Sequence, residues 1–301
     1  MRILVTGSSG LLGQKLLRAL PTELHELHGL DLTDEHDAAS PHFTYHRQNL
    51  TERRETIELV KRIQPNVIIH TAAMTAVDLC ETERERCWNI NVKATEYLAA
   101  AALKVGARMI YISTDYVFDG TNGPYREEDV PCPISYYGRS KLAGENAIRG
   151  ASNDWSIIRT IVLYGCGRGV KSSFVTWLLA ELRSGRQVKI VNDQWGNATL
   201  ADDLAAALDR FILMERKGLY HMGGYDFMNR WEFAVRIAGF FGLDEGLISP
   251  ISTAELNQPA RRPLRSGLVT DKAERELYYR FHNTEESLTV YRGCEQEAGE
   301  L

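Results

Sequence analysis

Residues Arg2 to Gly13 read R-I-L-V-T-G-S-S-G-L-L-G, an apolar run that passes through three glycines at a spacing of three into a second apolar run. Arg2–Thr6 has the length and apolarity of a buried strand. Leu11, Leu12, Leu16, Ala19 and Leu20 then recur at helical spacing until Pro21 stops the helix. In such a strand, turn and helix, Gly7 supplies the tight turn, Gly10 lets the backbone approach a bound group, and Gly13 lets the helix pack against the strand. The helix N-terminus offers free N–H groups and the positive end of its dipole, which suits a pyrophosphate. Gly7, Ser9, Gly10, Leu11, Leu12 and Gly13 are therefore candidate dinucleotide contacts. A strand over 28–31 ends in Asp31, at the distance where an acid meets the adenosine ribose hydroxyls. Leu32 and Thr33 follow rather than a cation, and a carboxylate repels a 2′-phosphate, so NADH is expected over NADPH, with NADPH still admissible if basic residues from elsewhere reach the phosphate.

The same unit repeats. A helix over 51–64, with Ile57, Val60 and Ile63 on one face, stops at Pro65 before a strand at 66–70, and a helix over 84–104 leads into the strand Arg108–Thr114. Apolar strands alternating with helices predict an α/β fold with a doubly wound parallel sheet, the Rossmann class. The pattern continues as helix 139–149, strand 155–163, helix 172–183, strand Val188–Val191 and helix 201–214. A strand at 218–224 and a helix Arg230–Phe241 are weaker, 254–266 reads as a surface or pocket segment, and the polar tail 285–301 is expected to be loosely held. At 301 residues two lobes are favoured. No linker marks a boundary, so 1–154 is expected to be the dinucleotide-binding domain. Residues 155–301 would partly complete the sheet and partly form a smaller substrate-binding lobe.

Thirty-five basic against 40 acidic residues, spread along the chain, leave a net charge of −5 and no basic block of the kind nucleic acid requires. The five cysteines show no C-x-x-C pair and no zinc spacing, as in a reducing compartment. The N-terminal apolar run is too short for a signal peptide, and no run approaches a membrane span, so a cytoplasmic protein is expected.

Tyr137 and Lys141 stand four residues apart, so on a helix they share a face. A tyrosine is a sluggish acid at neutral pH; a neighbouring ammonium is expected to lower its pKa, after which the phenol can trade a proton with a carbonyl or alcohol oxygen. Thr114, at the carboxyl end of its strand, lies where open parallel sheets bind ligands, and its hydroxyl can donate to the same oxygen. Thr114, Tyr137 and Lys141 are thus the candidate catalytic residues. Arg261, Arg262 and Arg265 form a basic patch suited to a diphosphate.

The segments T-G-S-S-G-L-L-G, S-T-D-Y-V-F-D-G (113–120), Y-G-R-S-K (137–141), D-Q-W-G-N-A-T (193–199), T-A-V-D (75–78) and R-R-P-L-R-S-G-L (261–268) together resemble the extended short-chain dehydrogenase/reductases, and within them the dTDP-4-dehydrorhamnose reductases. The resemblance covers nearly the whole chain. It implies hydride transfer from a nicotinamide to C4 of a dTDP-linked 4-keto-6-deoxy sugar, giving dTDP-L-rhamnose. Tyr137 would protonate the new alkoxide, Lys141 would hold the nicotinamide ribose, and Thr114 would polarise the ketone. It also implies that Thr75, Asp78, Asp115 and Arg262 line the substrate site. Asn49 and Leu50 would meet the adenine, and Ala72, Ala73 and Met74 would pass under the cofactor, in a monomer or homodimer.

Two positions depart from that pattern. Ile161-Val162-Leu163-Tyr164 stands where these reductases carry Ser-Trp-Val-Tyr, and Val162 cannot stack on a pyranose. Lys15 stands where some members carry a Mg²⁺-binding glutamate, so no metal is expected. D-Y-V-F-D-G-T-N-G-P-Y-R-E-E-D-V-P (115–131) and V-L-Y-G (162–165) also resemble the regulatory beta subunit of methionine adenosyltransferase, which implies a dinucleotide-binding partner protein without turnover. An epimerase or dehydratase of the same superfamily is a further alternative, although a dehydratase would want a second carboxylate beside Thr114 and Tyr116 follows Asp115.

Overall fold

The computed structural model describes residues 1–33, 43–151 and 154–299, with the side chains of 298 and 299 excepted. The chain opens as β1 (Arg2–Thr6), α1 (Leu11–Ala19), β2 (Glu26–Asp31), β3 (Phe43–Arg47), α2 (Arg53–Ile63) and β4 (Val67–His70). Next come α3 (Val77–Thr82), α4 (Arg84–Trp88) and α5 (Ala94–Val105), the last two joined by a π-helical turn, Asn89–Lys93; β5 (Arg108–Thr114), α6 (Tyr136–Ala151) and β6 (Trp155–Thr160) follow. The remainder is β7 (Leu163–Tyr164), α7 (Phe174–Arg183), β8 (Val188–Val191), β9 (Trp195–Gly196), β10 (Thr199–Leu200), α8 (Ala201–Leu213), β11 (Gly218–His221), β12 (Met228–Asn229), α9 (Arg230–Phe241), β13 (Ile248–Ile251), α10 (Asp271–Leu277) and α11 (Thr284–Gly299).

Seven strands form one parallel sheet in the order β11-β6-β5-β4-β1-β2-β3. The strand order reverses between β1 and β4, and in such sheets the crevice beyond the carboxyl ends at that reversal takes ligands. Helices cover both faces because both faces of the central strands are apolar. Ile3, Val5, Ile69, Ile110 and Ile158 pack under α1 and α8, while Leu4, Ile68, Met109, Tyr111 and Ile157 pack under α2 and α5. Helix ends follow the sequence: Gln64 takes a left-handed conformation before Pro65, and Gly106 and Gly242 do so after α5 and α9.

Residues after 155 divide their duties. β6 and β11 complete the sheet and α8 packs on α1, whereas α7, β8, α9, β13 and α11 enclose a third apolar cluster. β8, which reads as one more strand, pairs only with β13 outside the main sheet. Nor does the expectation of a loose tail hold: 284–299 is a helix, because Leu288 and Tyr291 bury themselves against that cluster. Residues 300–301 lie outside the described part. The strand expected over 155–163 breaks after Thr160. Val162 takes a left-handed φ of 43°, unusual for a β-branched side chain, and is held there as Thr199 N donates to its carbonyl at 3.1 Å and Thr199 Oγ1 donates to Ile161 O at 2.7 Å.

His70, at the end of β4, is a buried polar link between layers. Thr95 Oγ1 donates to Asn91 O, so it accepts from His70 Nε2 at 3.0 Å, and His70 Nδ1 accepts from Thr6 Oγ1 at 2.7 Å. Burial, with Lys141 adding to it, lowers the His70 pKa from 6.5 to about 3. A histidine held neutral in the fold loses stability as pH falls below its unfolded pKa. The loss is about 1.4 kcal/mol per pH unit and continues down to the folded value. Urea midpoints between pH 6.5 and 4 are therefore expected to fall less steeply in His70→Gln than in the wild type; parallel slopes would contradict the buried neutral imidazole.

Candidate active site

The glycine turn is as close-packed as its spacing suggests. Gly7 has φ +70°, and a Cβ there would lie 2.7 Å from Ala72 N; a Cβ on Gly13 would lie 2.2 Å from Gly7 O. α1 is preceded by Gly10 as its N-cap, with no side-chain cap and no acid in the first turn, so the N–H groups of Leu11 and Leu12 and the positive dipole end are left uncompensated by side chains. These features fit a dinucleotide pyrophosphate. Asp31 sits beside the turn: Ser9 N donates to its Oδ2 at 2.9 Å and Leu32 N to its Oδ1 at 2.7 Å. Arg47, on β3, stands opposite Asp31 in the sheet register and donates to Leu32 O.

The segment after β4 closes the other side of the crevice, with Ala72 and Ala73 half-buried and Thr75 exposed. Asn91, which sequence reasoning passed over, fixes that segment. Its Oδ1 accepts from Met74 N at 2.8 Å, and its Nδ2 donates to Met74 O at 3.1 Å and to Ser140 Oγ at 2.9 Å. Ser140 Oγ in turn donates to Tyr137 O at 2.7 Å. One amide thus sets the cofactor-side loop against the helix that carries Tyr137. The π turn around Asn91 was the available signal only in structure, since its sequence, N-I-N-V-K, reads as ordinary helix. Asn49 and Leu50 precede α2; Asn49 Oδ1 accepts from Thr51 N at 3.0 Å, and Leu50 is buried in the core.

Tyr137 and Lys141 lie on one face of α6, both buried, at the carboxyl end of β5. The Thr114 side chain neighbours Tyr137; Thr114 Oγ1 donates to Asp115 Oδ1 at 3.1 Å and accepts from Tyr116 N at 3.2 Å, and the Tyr116 ring meets the Tyr137 ring edge-on at 5.6 Å. The expected lowering of the Tyr137 pKa by an ammonium does not occur. Burial drives it well above 10, the neighbouring Thr114 hydroxyl opposes that, and the Asp115 carboxylate adds to it. Lys141 instead points to the strand: its Nζ donates to Ile112 O at 2.7 Å and lies 4.1 Å from the Tyr111 ring centre. Burial pulls its pKa down to about 7, partly offset by Glu145. Tyr137 is accordingly a protonated donor through neutral pH, and Lys141 is poised between its two forms.

Beyond Thr114 a pocket opens, lined by Asp115, Tyr116, Val162, Trp195, Arg230 and Ser266 among others. Ser266 Oγ donates to Asp115 Oδ2 at 2.6 Å, and burial raises the Asp115 pKa to about 6. Arg230, missed as a site residue, starts α9 below a capping box of Asn229 and Glu232, and Tyr116 and Asp115 oppose the drop that burial imposes on its pKa. The N-x-x-E signal of that box is legible in the sequence. Asp78 and Arg262 are brought together, but with each other. The guanidinium forks onto the carboxylate at 2.8 and 2.7 Å, and Ala260 N donates to the same group at 3.0 Å. Neither they nor Thr75 line the pocket. Arg265 lies over the Trp195 and Phe227 rings and Arg261 is exposed, so the three arginines diverge. Among the described residues no group of three or more His, Cys, Asp or Glu could hold a metal ion, and no helix is long and apolar enough to cross a membrane.

A family model described as the RmlD substrate binding domain matches residues 1–292. The chain belongs to the RmlD substrate binding domain family. Within curated proteins it is 33% identical over 291 residues to the spore coat polysaccharide biosynthesis protein SpsK of Bacillus subtilis, covering 96% of each chain. It is also 36% identical to methionine adenosyltransferase 2 subunit beta of Xenopus tropicalis, covering 91% of this chain and 82% of that protein. The crystal structure of dTDP-4-dehydrorhamnose reductase from Bacillus anthracis, in complex with NADP, superposes with a TM-score of 0.86 at 31% identity, covering 96% and 98% of the two chains. The doubly wound parallel sheet expected from the glycine turn and the strand alternation is the one observed, and the family is the one the motifs resemble.

Proposed function

We propose that the protein is a nicotinamide-dependent reductase of a nucleotide-linked 4-keto-6-deoxy sugar, with dTDP-4-dehydro-L-rhamnose as substrate and dTDP-L-rhamnose as product. The observation that carries this reading is the placing of Thr114, at the carboxyl end of β5, beside the buried Tyr137 of α6, one helical turn from Lys141. Family membership and the reductase from Bacillus anthracis support the same chemistry.

A bound nicotinamide dinucleotide supplies the hydride. Gly7, Ser9, Gly10, Leu11, Leu12 and Gly13 would hold its pyrophosphate against the α1 N-terminus, with Asn49 and Leu50 on the adenine side and Ala72, Ala73 and Met74 beneath it. Thr114 donates to the ketone oxygen and polarises it, and Tyr137, kept protonated by burial, gives its proton to that oxygen as charge develops. Lys141, whose Nζ donates to Ile112 O in the structure, would turn its remaining N–H groups to the nicotinamide ribose. Asp115 stands at the sugar with Thr75 at the crevice edge. Asp78 acts through Arg262, fixing the 260–262 segment over the site. Val162 leaves the pocket without the expected stacking ring; Trp195, across the same pocket, is the aromatic wall available to a sugar face.

Asp31 sets the cofactor preference in favour of NADH, with Arg47 beside it as the group that would tolerate NADPH. Asp31→Ala is expected to move the NADPH to NADH ratio of kcat/KM upward by on the order of tenfold, the equivalent of about 1.4 kcal/mol. An unchanged ratio in paired initial-rate measurements would remove Asp31 from that role.

A further inference from the structure

Lys15 is buried on α1. Its Nζ donates to Asp202 Oδ1 on α8 at 2.8 Å and to Cys294 Sγ on α11 at 3.2 Å. Cys166, in the segment after β7, donates from its Sγ to Tyr291 O at 3.6 Å, three residues before Cys294 on α11, which makes the two thiols neighbours. Cys166, Lys15 and Asp202 are the titratable groups that face Cys294, and Tyr291 lies beside Cys166. None of them belongs to the site above. The neighbouring Cys166 thiol and the Lys15 ammonium, which donates to the Cys294 sulfur, draw the Cys294 pKa down against burial and Asp202, while that of Cys166 is pushed up. Both thiols are partly exposed, so a small oxidant can reach them.

We propose that Cys294 and Cys166, with Lys15 as the fixed cation, form a peroxide-reactive dithiol that closes to an intramolecular disulfide. The Cys294 thiolate attacks one oxygen of hydrogen peroxide; the S–O bond forms, the O–O bond breaks, and the departing hydroxide takes a proton to leave as water. Cys166 then attacks the sulfenic sulfur. The S–S bond forms, the S–O bond breaks, and hydroxide leaves with the Cys166 proton as a second water. Two thiols are oxidised by two electrons, one peroxide is reduced, and α11 is tied covalently to the segment after β7.

The reduced full-length chain tests this directly, with the exposed Cys132 as an internal reference. At pH 7, iodoacetamide is expected to alkylate Cys294 on the order of tenfold faster than Cys132, and Lys15→Met is expected to remove that advantage while Lys15→Arg keeps it. Stoichiometric hydrogen peroxide followed by non-reducing peptide mapping is expected to yield a Cys166–Cys294 linked peptide, absent in Cys166→Ser. If Lys15→Met does not fold, the wild-type comparison and the peptide map decide the matter. Oxidation that begins at Cys132, or a Cys294 sulfinic acid without any linked peptide, would overturn the proposal.

Discussion

Tyr137→Phe is expected to lower turnover of the keto sugar nucleotide by roughly 10²–10⁴-fold while leaving dinucleotide affinity nearly unchanged. The variant loses one hydroxyl and keeps the ring that packs with Cys80, Cys87, Met74 and Tyr116. Thr114 keeps Asp115 and the Tyr116 N–H as partners, so the end of β5 need not rearrange. What disappears is the protonated group proposed to neutralise the developing alkoxide. Steady-state rates at the nicotinamide absorbance, set beside cofactor titration by fluorescence, separate the two effects. Equal turnover in the variant would take the acid role from Tyr137.

Arg159→Met carries the second large effect, through positioning rather than contact with substrate. Glu145, two turns beyond Tyr137 on α6, is fully buried and accepts from Arg159 Nε at 2.9 Å, from Arg159 Nη2 at 2.8 Å and from Ser113 Oγ at 2.7 Å. Arg159 is on β6 and Ser113 on β5, so this carboxylate fastens the catalytic helix to two strands. Removing the guanidinium strands a buried charge and is expected to cost about 3–5 kcal/mol. Arg149 reaches only one oxygen from the helix exterior, at 3.3 Å, and replaces little of the loss. The double variant Glu145→Leu/Arg159→Met, with no charge left to strand, is expected to recover most of the stability. Urea unfolding at constant slope measures both; a single variant as stable as the wild type would show the pair to be dispensable.

Local pattern made much of this legible. The glycine spacing, the apolar central strands and the Tyr137–Lys141 interval depend on neighbours within a few residues, and each lies where the sequence implies. β3 escaped notice because F-T-Y-H-R is a half-exposed edge strand without an apolar run. α11 escaped because only a few positions, such as Leu288 and Tyr291, need burial to dock a polar helix. The Asp78–Arg262 fork joins residues 184 positions apart, and no spacing rule reports such a contact. Lys141 is the instructive case. The interval correctly put it on the face of Tyr137, but the direction of its ammonium was set by Ile112 O, a backbone group on another element. Charge type is written in the sequence; desolvation and aim are written in the fold.

The most direct measurement is oxidation of NADH and NADPH by dTDP-4-keto-6-deoxy-L-mannose, generated in place from its precursor and followed at the nicotinamide absorbance with the sugar product identified. The account predicts robust turnover to dTDP-L-rhamnose, with NADH the better cofactor. Tight dinucleotide binding with no oxidation by this or any other 4-keto sugar nucleotide would contradict it. That result would instead align the chain with its methionine adenosyltransferase beta relatives.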